Sequence, residues 1–237
     1  MRLFRKIIIT TACIMFLATS ASAQDWANLN RFKEENNQLP APRTCDDRVV
    51  FMGNSITQGW IEKVPDFFEG RPFINRGIGG QTTPQMLLRF RQDVIDLRPK
   101  VVVILAGTND IAGNTGPSTL EMIEDNIRSM TELAHANDIE VVLCSVLPAY
   151  EYKWRPEIEN PAEKIVELNK RIKRYAEISG SVYCNYFSAM ADERNGLPPN
   201  LSSDEVHPNQ EGYAIMAPIA ENAIAQALTL WSMKNNK

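Results

Sequence analysis

Val49-Val50-Phe51-Met52-Gly53-Asn54-Ser55-Ile56-Thr57 begins as four apolar residues and ends in a glycine turn with a hydroxyl. Its apolar part, extended back by Arg48, reads as a strand over Arg48–Met52. Four more short apolar runs read the same way: Phe73–Asn75, Val101–Ala106, Glu140–Val146 and Val182–Tyr186. The third and fourth are rich in valine and hardly alternate, the pattern of strands covered on both faces. Helical periodicity separates most of these runs, and strands alternating with helices predict an α/β fold with a parallel, doubly wound sheet. In such sheets ligand sites lie beyond the carboxyl ends of the strands, which is where Ser55 stands.

The intervening helices carry start signals. Thr83 caps a helix with Pro84 at its first position, running to about Leu97. Ser118-Thr119-Leu120-Glu121 reads as a capping box, followed at helical spacing by Leu120, Ile123, Ile127, Met130 and Leu133. Asn160-Pro161-Ala162-Glu163 opens another, with Ile165, Leu168, Ile172 and Tyr175 on one face. A last helix runs from near Asn209 to about Trp231, and Pro218 is expected to kink or split it.

Residues 1–23 have the composition of a secretory leader. Arg2, Arg5 and Lys6 precede an apolar stretch from Ile7 to Leu17, and Ala21-Ser22-Ala23 suits cleavage after Ala23. The expected location is periplasmic or secreted, with no stable membrane insertion once the leader is removed. Cys13 lacks a polar tether after it and does not suggest lipidation. Residues 24–45 read as a polar lead-in wrapping the surface, and residues 46–237 as one domain. The chain carries a net charge of −4. Losing a basic leader makes it more negative, which argues against nucleic acid or an anionic membrane as the main partner. Cys45, Cys144 and Cys184 form no CxxC pair. A dense disulfide framework and a cysteine-based zinc site are excluded, and Cys144 and Cys184, inside apolar runs, read as buried thiols.

Ser55 suits a nucleophile, which requires a base. Its alternative role is a helix cap or turn. Gly-x-Ser-x-Thr is not the Gly-x-Ser-x-Gly elbow of α/β-hydrolases. The chain has two histidines. His135 sits at the end of a predicted helix, suited to complementing its dipole or facing solvent. His207 lies in Asp204-Glu205-Val206-His207-Pro208, where Asp204, three residues away, can orient its imidazole. Glu205 is the alternative acid. Gly107-Thr108-Asn109-Asp110 follows the most hydrophobic strand and can offer the Asn109 amide to an oxyanion, or simply form a turn. Gly79, in Gly77-Ile78-Gly79-Gly80, can bring its N–H close to a ligand or serve a tight turn. That glycine run is a poor dinucleotide fingerprint, lacking the third glycine and a placed acidic partner.

The order Gly53-Asn54-Ser55, Gly79, Gly107-Thr108-Asn109-Asp110 and Asp204-x-x-His207-Pro208 resembles the four blocks of the SGNH hydrolases, the GDSL esterase/lipase family. The stretch from Asn75 to Thr83 is similar to the platelet-activating-factor acetylhydrolase branch. This resemblance implies a flavodoxin-like three-layer α/β/α sandwich with strand order 2-1-3-4-5. It implies Ser55 as nucleophile, His207 as base and Asp204 as its partner. It also implies an oxyanion hole from the N–H groups of Ser55 and Gly79 and the side chain of Asn109, with no metal or organic cofactor. Asn54 replaces the namesake aspartate, so no carboxylate adjoins the nucleophile in the chain.

The segment from Ala149 to Pro156 follows the fourth strand and should rim the site. Tyr150, Tyr152 and Trp154 could stack there on sugar faces or pack the loop onto the body. No amphipathic lid is evident. The expected activity is that of a secreted serine esterase removing short acyl groups, acetyl first, from a small-molecule or glycan ester. The alternatives are a lysophospholipase or thioesterase with the same triad, or a carbohydrate-binding protein with a vestigial site. Oligomeric state is not encoded legibly.

Overall fold

In the computed structural model, which describes residues 25–43 and 45–235, a five-stranded parallel sheet has the order β2-β1-β3-β4-β5. The strands are β1 (Val49–Gly53), β2 (Phe73–Gly77), β3 (Val101–Leu105), β4 (Glu140–Cys144) and β5 (Val182–Cys184). The helices are α1 (Lys33–Gln38), α2 (Ser55–Lys63), α3 (Thr83–Asp93), α4 (Thr108–Ile111), α5 (Leu120–His135), α6 (Pro161–Ser179), α7 (Phe187–Met190) and α8 (Gln210–Asn235). The leader, with its expected cleavage after Ala23, lies outside the described residues. No described helix is long and apolar enough to cross a membrane.

Alternate residues of each strand feed opposite cores. Val50, Met52, Val102 and Ile104 meet Met86 and Phe90 of α3, Ile123 of α5 and Ile165 of α6. Phe51, Val103 and Leu105 meet Trp60 of α2 and Tyr213 and Met216 of α8 on the other face. The three-layer sandwich follows from that alternation. Trp60 is the centre of the second core, stacked on Phe67 at 4.5 Å and on Tyr213 at 5.4 Å between ring centroids. Truncating such a residue costs about 3–5 kcal/mol, so the first helix after β1 is firmly seated.

Register brings the strand ends level. Gly53 pairs with Gly77 on one side and with Leu105 on the other. The segments that follow, Asn54-Ser55, Ile78-Gly79-Gly80 and Ala106 to Asn109, therefore leave the sheet at one edge. Helix α2 closes down on this edge where glycines make room. A Cβ on Gly53 would stand 2.0 Å from Thr57 Oγ1, and one on Gly77 would stand 2.1 Å from the Gln58 nitrogen.

Local details differ from the sequence reading. Thr82, not Thr83, is the cap of α3, and its N–H donates to Gln85 Oε1 at 3.0 Å. The helix ends at Asp93, with a separate 3₁₀ turn at Ile95–Leu97. Thr119, not Ser118, caps α5, accepting the Met122 N–H at 3.2 Å. Pro218 does not split α8, which runs unbroken through it. A missing proline N–H leaves one carbonyl of the preceding turn without its helical donor, and the flanking turns hold the helix regardless. The lead-in contains α1 and is bolted to α3: Gln81 and Gln85 donate to the carbonyls of Ala27 and Trp26, and Asn36 Nδ2 to Asp93 at 2.7 Å. Cys144 and Cys184 are buried free thiols in register on β4 and β5, and Cys45 is exposed and free.

Candidate active site

Asn54 begins the site. Buried to 1% exposure, it caps α2 by accepting the Ile56 N–H at 3.0 Å. Ser55 is then the first helical residue, and its N–H is among those that no intrahelical carbonyl can reach. Ser55 Oγ lies 2.8 Å from His207 Nε2, across 152 positions of sequence. His207 Nδ1 lies 2.6 Å from Asp204 Oδ2.

The His207 loop builds itself from local bonds. Asp204 Oδ1 accepts the N–H groups of His207 at 2.7 Å and Val206 at 3.0 Å. Ser202 Oγ donates to the His207 carbonyl at 2.7 Å. Val206 is buried in the core beneath, and Asn209 Oδ1 accepts the Gly212 N–H to start α8. Glu205 takes φ +66°, which turns the chain so that Asp204 and His207 face the same way. Its carboxylate pairs with Lys153 at 3.1 Å and does not approach the imidazole's Nδ1, which Asp204 occupies.

Partial burial raises the Asp204 pKa, but the His207 N–H, the imidazole and the Val206 N–H outweigh it and hold the carboxyl at about 2. The carboxylate is therefore an acceptor at neutral pH. With Nδ1 turned to that carboxylate as donor, Nε2 faces the Ser55 hydroxyl and can accept its hydrogen bond.

Asn109, 4% exposed, uses one amide hydrogen to donate to the Gln81 carbonyl at 2.9 Å. Gly79 lies beside Ser55, and a Cβ built on it would stand 3.8 Å from the Ser55 Cβ. Its N–H, which the sequence offers to a ligand, donates here to Gln58 Oε1 at 2.8 Å. Gln58 stands one turn along α2 from Ser55 and reaches back across the edge. The adjoining Gly80, at φ +75°, makes no N–H hydrogen bond among the described residues. Asp110 is buried and accepts both the N–H and the hydroxyl of Thr83, at 2.9 and 2.6 Å, tying α4 to α3. Burial pushes its pKa up to about 6 against these bonds.

Of the three aromatic residues expected at the rim, Tyr150 and Trp154 are exposed by 47% and 44%. Tyr150 lies under the Arg194 guanidinium at 4.9 Å. Tyr152 is not at the rim. It is 1% exposed, and its hydroxyl meets Thr108 Oγ1 at 2.8 Å inside the core. Alternation along the loop sends 150 and 154 outward and 152 inward. His135 stands at the opposite edge, at the end of α5, half-buried with Nε2 unpartnered, so it neither faces solvent fully nor joins Ser55. Burial lowers its pKa.

The sequence reading missed Gln58, Gln81 and Arg89. Arg89 was detectable: with Met86, Phe90 and Asp93 it falls on the core-facing stripe of α3, where a charged pair four residues apart has no solvent reason to be.

Residues 51–215 match the GDSL-like Lipase/Acylhydrolase family. The alpha2 subunit of platelet-activating factor acetylhydrolase IB from Homo sapiens is 26% identical over 161 residues, covering 64% of this chain and 65% of that protein. The chain spans about half to two thirds of the length of the first curated relatives it matches. The crystal structure of a putative acylhydrolase from Bacteroides fragilis NCTC 9343 is 48% identical with a TM-score of 0.85, covering 86% of this chain and 99% of that one. The acetylxylan esterase Axe2 of Geobacillus stearothermophilus, 20% identical over 75% of this chain and 94% of its own, shares the fold at a TM-score of 0.60. Fold, strand order and sequence agree: the chain belongs to the GDSL-like lipase/acylhydrolase family.

Proposed function

We propose that this protein hydrolyses carboxylic esters with short acyl groups, acetyl first, through Ser55, His207 and Asp204. The observation that carries the reading is the Ser55–His207–Asp204 hydrogen-bond chain, at 2.8 and 2.6 Å. His207 Nε2 takes the Ser55 proton as Oγ attacks the ester carbonyl. Asp204 stabilises the imidazolium that results. Charge developing on the carbonyl oxygen is met by the Ser55 N–H at the start of α2, by the second amide hydrogen of Asn109, and by an N–H of the Gly79-Gly80 turn. Gly79 itself can donate only when Gln58 swings away. His207 then protonates the leaving alcohol, and water repeats the cycle on the acyl-enzyme.

The acetyl preference is supported by the names of two similar proteins, an acetylhydrolase and an acetylxylan esterase. Tyr150 and Trp154 offer exposed rings for a glycan leaving group. The basic, apolar beginning of the chain supports export, with cleavage after Ala23.

A second reading rests on a groove of about 530 Å³ between α1, α2 and the edge strand β2. Its walls include Phe32, Leu39, Ile61 and Phe73, and Gln58 stands within it. A longer acyl or alcohol chain could lie there, as a lysophospholipase or thioesterase would require.

One experiment separates these readings. Ser55→Ala should abolish p-nitrophenyl acetate cleavage, and a fluorophosphonate should label Ser55 in the parent. Parent-level turnover by Ser55→Ala overturns the esterase reading. Across p-nitrophenyl esters, the rate should peak at two carbons, and a peak at about eight or more selects the long-chain alternative.

A further inference from the structure

Arg89 is 0% exposed and lies under the proposed oxyanion donors. Its Nη2 donates to two main-chain carbonyls, Gly53 at 3.1 Å and Arg76 at 2.8 Å. Gly53 is two residues before Ser55 and ends β1. Arg76 is three residues before Gly79 and lies in β2. The Gly53 carbonyl also accepts the Ile78 N–H at 3.1 Å, so the two turns are tied at one oxygen. Arg89 Nε donates to Gln81 Oε1 at 2.6 Å, and the Gln81 carbonyl in turn accepts Asn109 Nδ2 at 2.9 Å. Nη1 pairs with Asp93 at 3.1 Å. We propose that Arg89 is a positioning residue that sets the spacing between the Ser55 turn, the Gly79-Gly80 turn and the Asn109 amide. This inference rests on the esterase reading of that site.

The chemistry of the side chain supports this role. A guanidinium is a rigid plane whose donors keep fixed angles to one another, so two carbonyls bound to one nitrogen cannot drift apart independently. A buried ion pair is a poor way to gain stability, because two charges must be desolvated and apolar residues of similar volume serve as well or better. Apolar residues could fill this space between α3 and the sheet, but they could not bridge Gly53 to Arg76 or hold Gln81. Burial lowers the Arg89 pKa only to about 10, so the group stays charged at neutral pH. Oxyanion stabilisation depends on donors preset to where charge will develop, and a misplacement of about 1 Å is enough to cost much of the rate. A residue that fixes three donor segments should therefore act on kcat and leave KM nearly alone.

Arg89→Met, Arg89→Gln and Arg89→Lys are compared with the parent and with Ser55→Ala on p-nitrophenyl acetate. Circular-dichroism melts establish that each is folded, and the inhibition constant of a trifluoromethyl ketone reports affinity for the tetrahedral adduct. Expected for Arg89→Met and Arg89→Gln is a kcat loss of roughly 10- to 10²-fold with KM within about threefold, and ketone affinity falling in step with kcat. Arg89→Lys should fall between them and the parent, since a point charge cannot span both carbonyls. Folded Arg89 variants with parental kcat and parental ketone affinity overturn the proposal while an inert Ser55→Ala upholds the esterase reading. A Ser55→Ala variant at parental rate overturns the esterase reading itself. If no Arg89 variant folds, Gln81→Met decides, since it removes the link from Arg89 to the Asn109 support: a kcat loss of roughly tenfold at constant KM upholds the proposal, and parental kcat overturns it.

Discussion

Ser55 stands on a buried polar support, whereas Asp204 and His207 stand on a surface loop that bonds mostly to itself. Around Ser55, Asn54 and Arg89 are buried, and Gly53 leaves no space for a methyl group. Around His207, the side chains of His207 and Asp204 remain 36% and 47% exposed, and the polar bonds run largely between residues 200 and 212. Ser55 is thus placed by the whole sheet edge, and His207 by a local turn pinned through Val206 and Leu201.

Three substitutions probe this contrast in order of expected effect. Asp204→Asn keeps the shape of the loop but removes the acceptor that sets the imidazole tautomer, so kcat should fall by roughly 10⁴. Steady-state kinetics at pH 7 check this, and a loss under tenfold would mean that another acid orients His207. Asn109→Ala removes one of the proposed oxyanion donors from the buried side, and the loss should be roughly 10²–10³ in kcat with little change in KM.

The third compares two carboxylates. Asp204 has its folded pKa lowered to about 2, so its stabilising contribution is full above its ordinary value near 3.8 and is lost as pH falls toward 2. Asp110 has its folded pKa raised to about 6, so it contributes in the opposite sense: stability is gained as pH falls through 6, complete below 3.8. Urea midpoints should show the parent gaining on Asp110→Asn between pH 7 and 4. The parent should lose ground to Asp204→Asn between pH 4 and 2. A pH-independent gap in either pair would contradict the assigned environment.

The sheet was legible because Val101 to Leu105 and Glu140 to Cys144 are buried on both faces, and residue type suffices to show that. The strand order was not in the periodicity and came from the resemblance of four short blocks to a known family. Ser55, Gly79 and Asn109 were legible as residue types just past strands, since level strand ends bring those positions together, whereas Asp204 and His207 arrive on the loop before α8 and stood out as a carboxylate three residues from a histidine. What escaped was set by three-dimensional bonding. The choice between Thr82 and Thr83 as cap turned on Asp110 capturing the Thr83 hydroxyl from another element. Tyr152 looked like its neighbours Tyr150 and Trp154, and its burial and its contact with Thr108 show that it points inward. The polar lead-in hid α1 because its partners, Asp93 and Arg76, are buried polar groups that an apolar stripe cannot reveal.

The distance along the chain between hydroxyl and imidazole, 152 positions, has a consequence for biosynthesis. A ribosome adding roughly 5–20 residues per second would deliver the imidazole roughly 8–30 s after the hydroxyl. During that interval the nascent polypeptide carries a serine with no proton acceptor beside it. The proposed esterase activity should thus be acquired late, and an esterase assay on stalled chains would report when the final loop has docked.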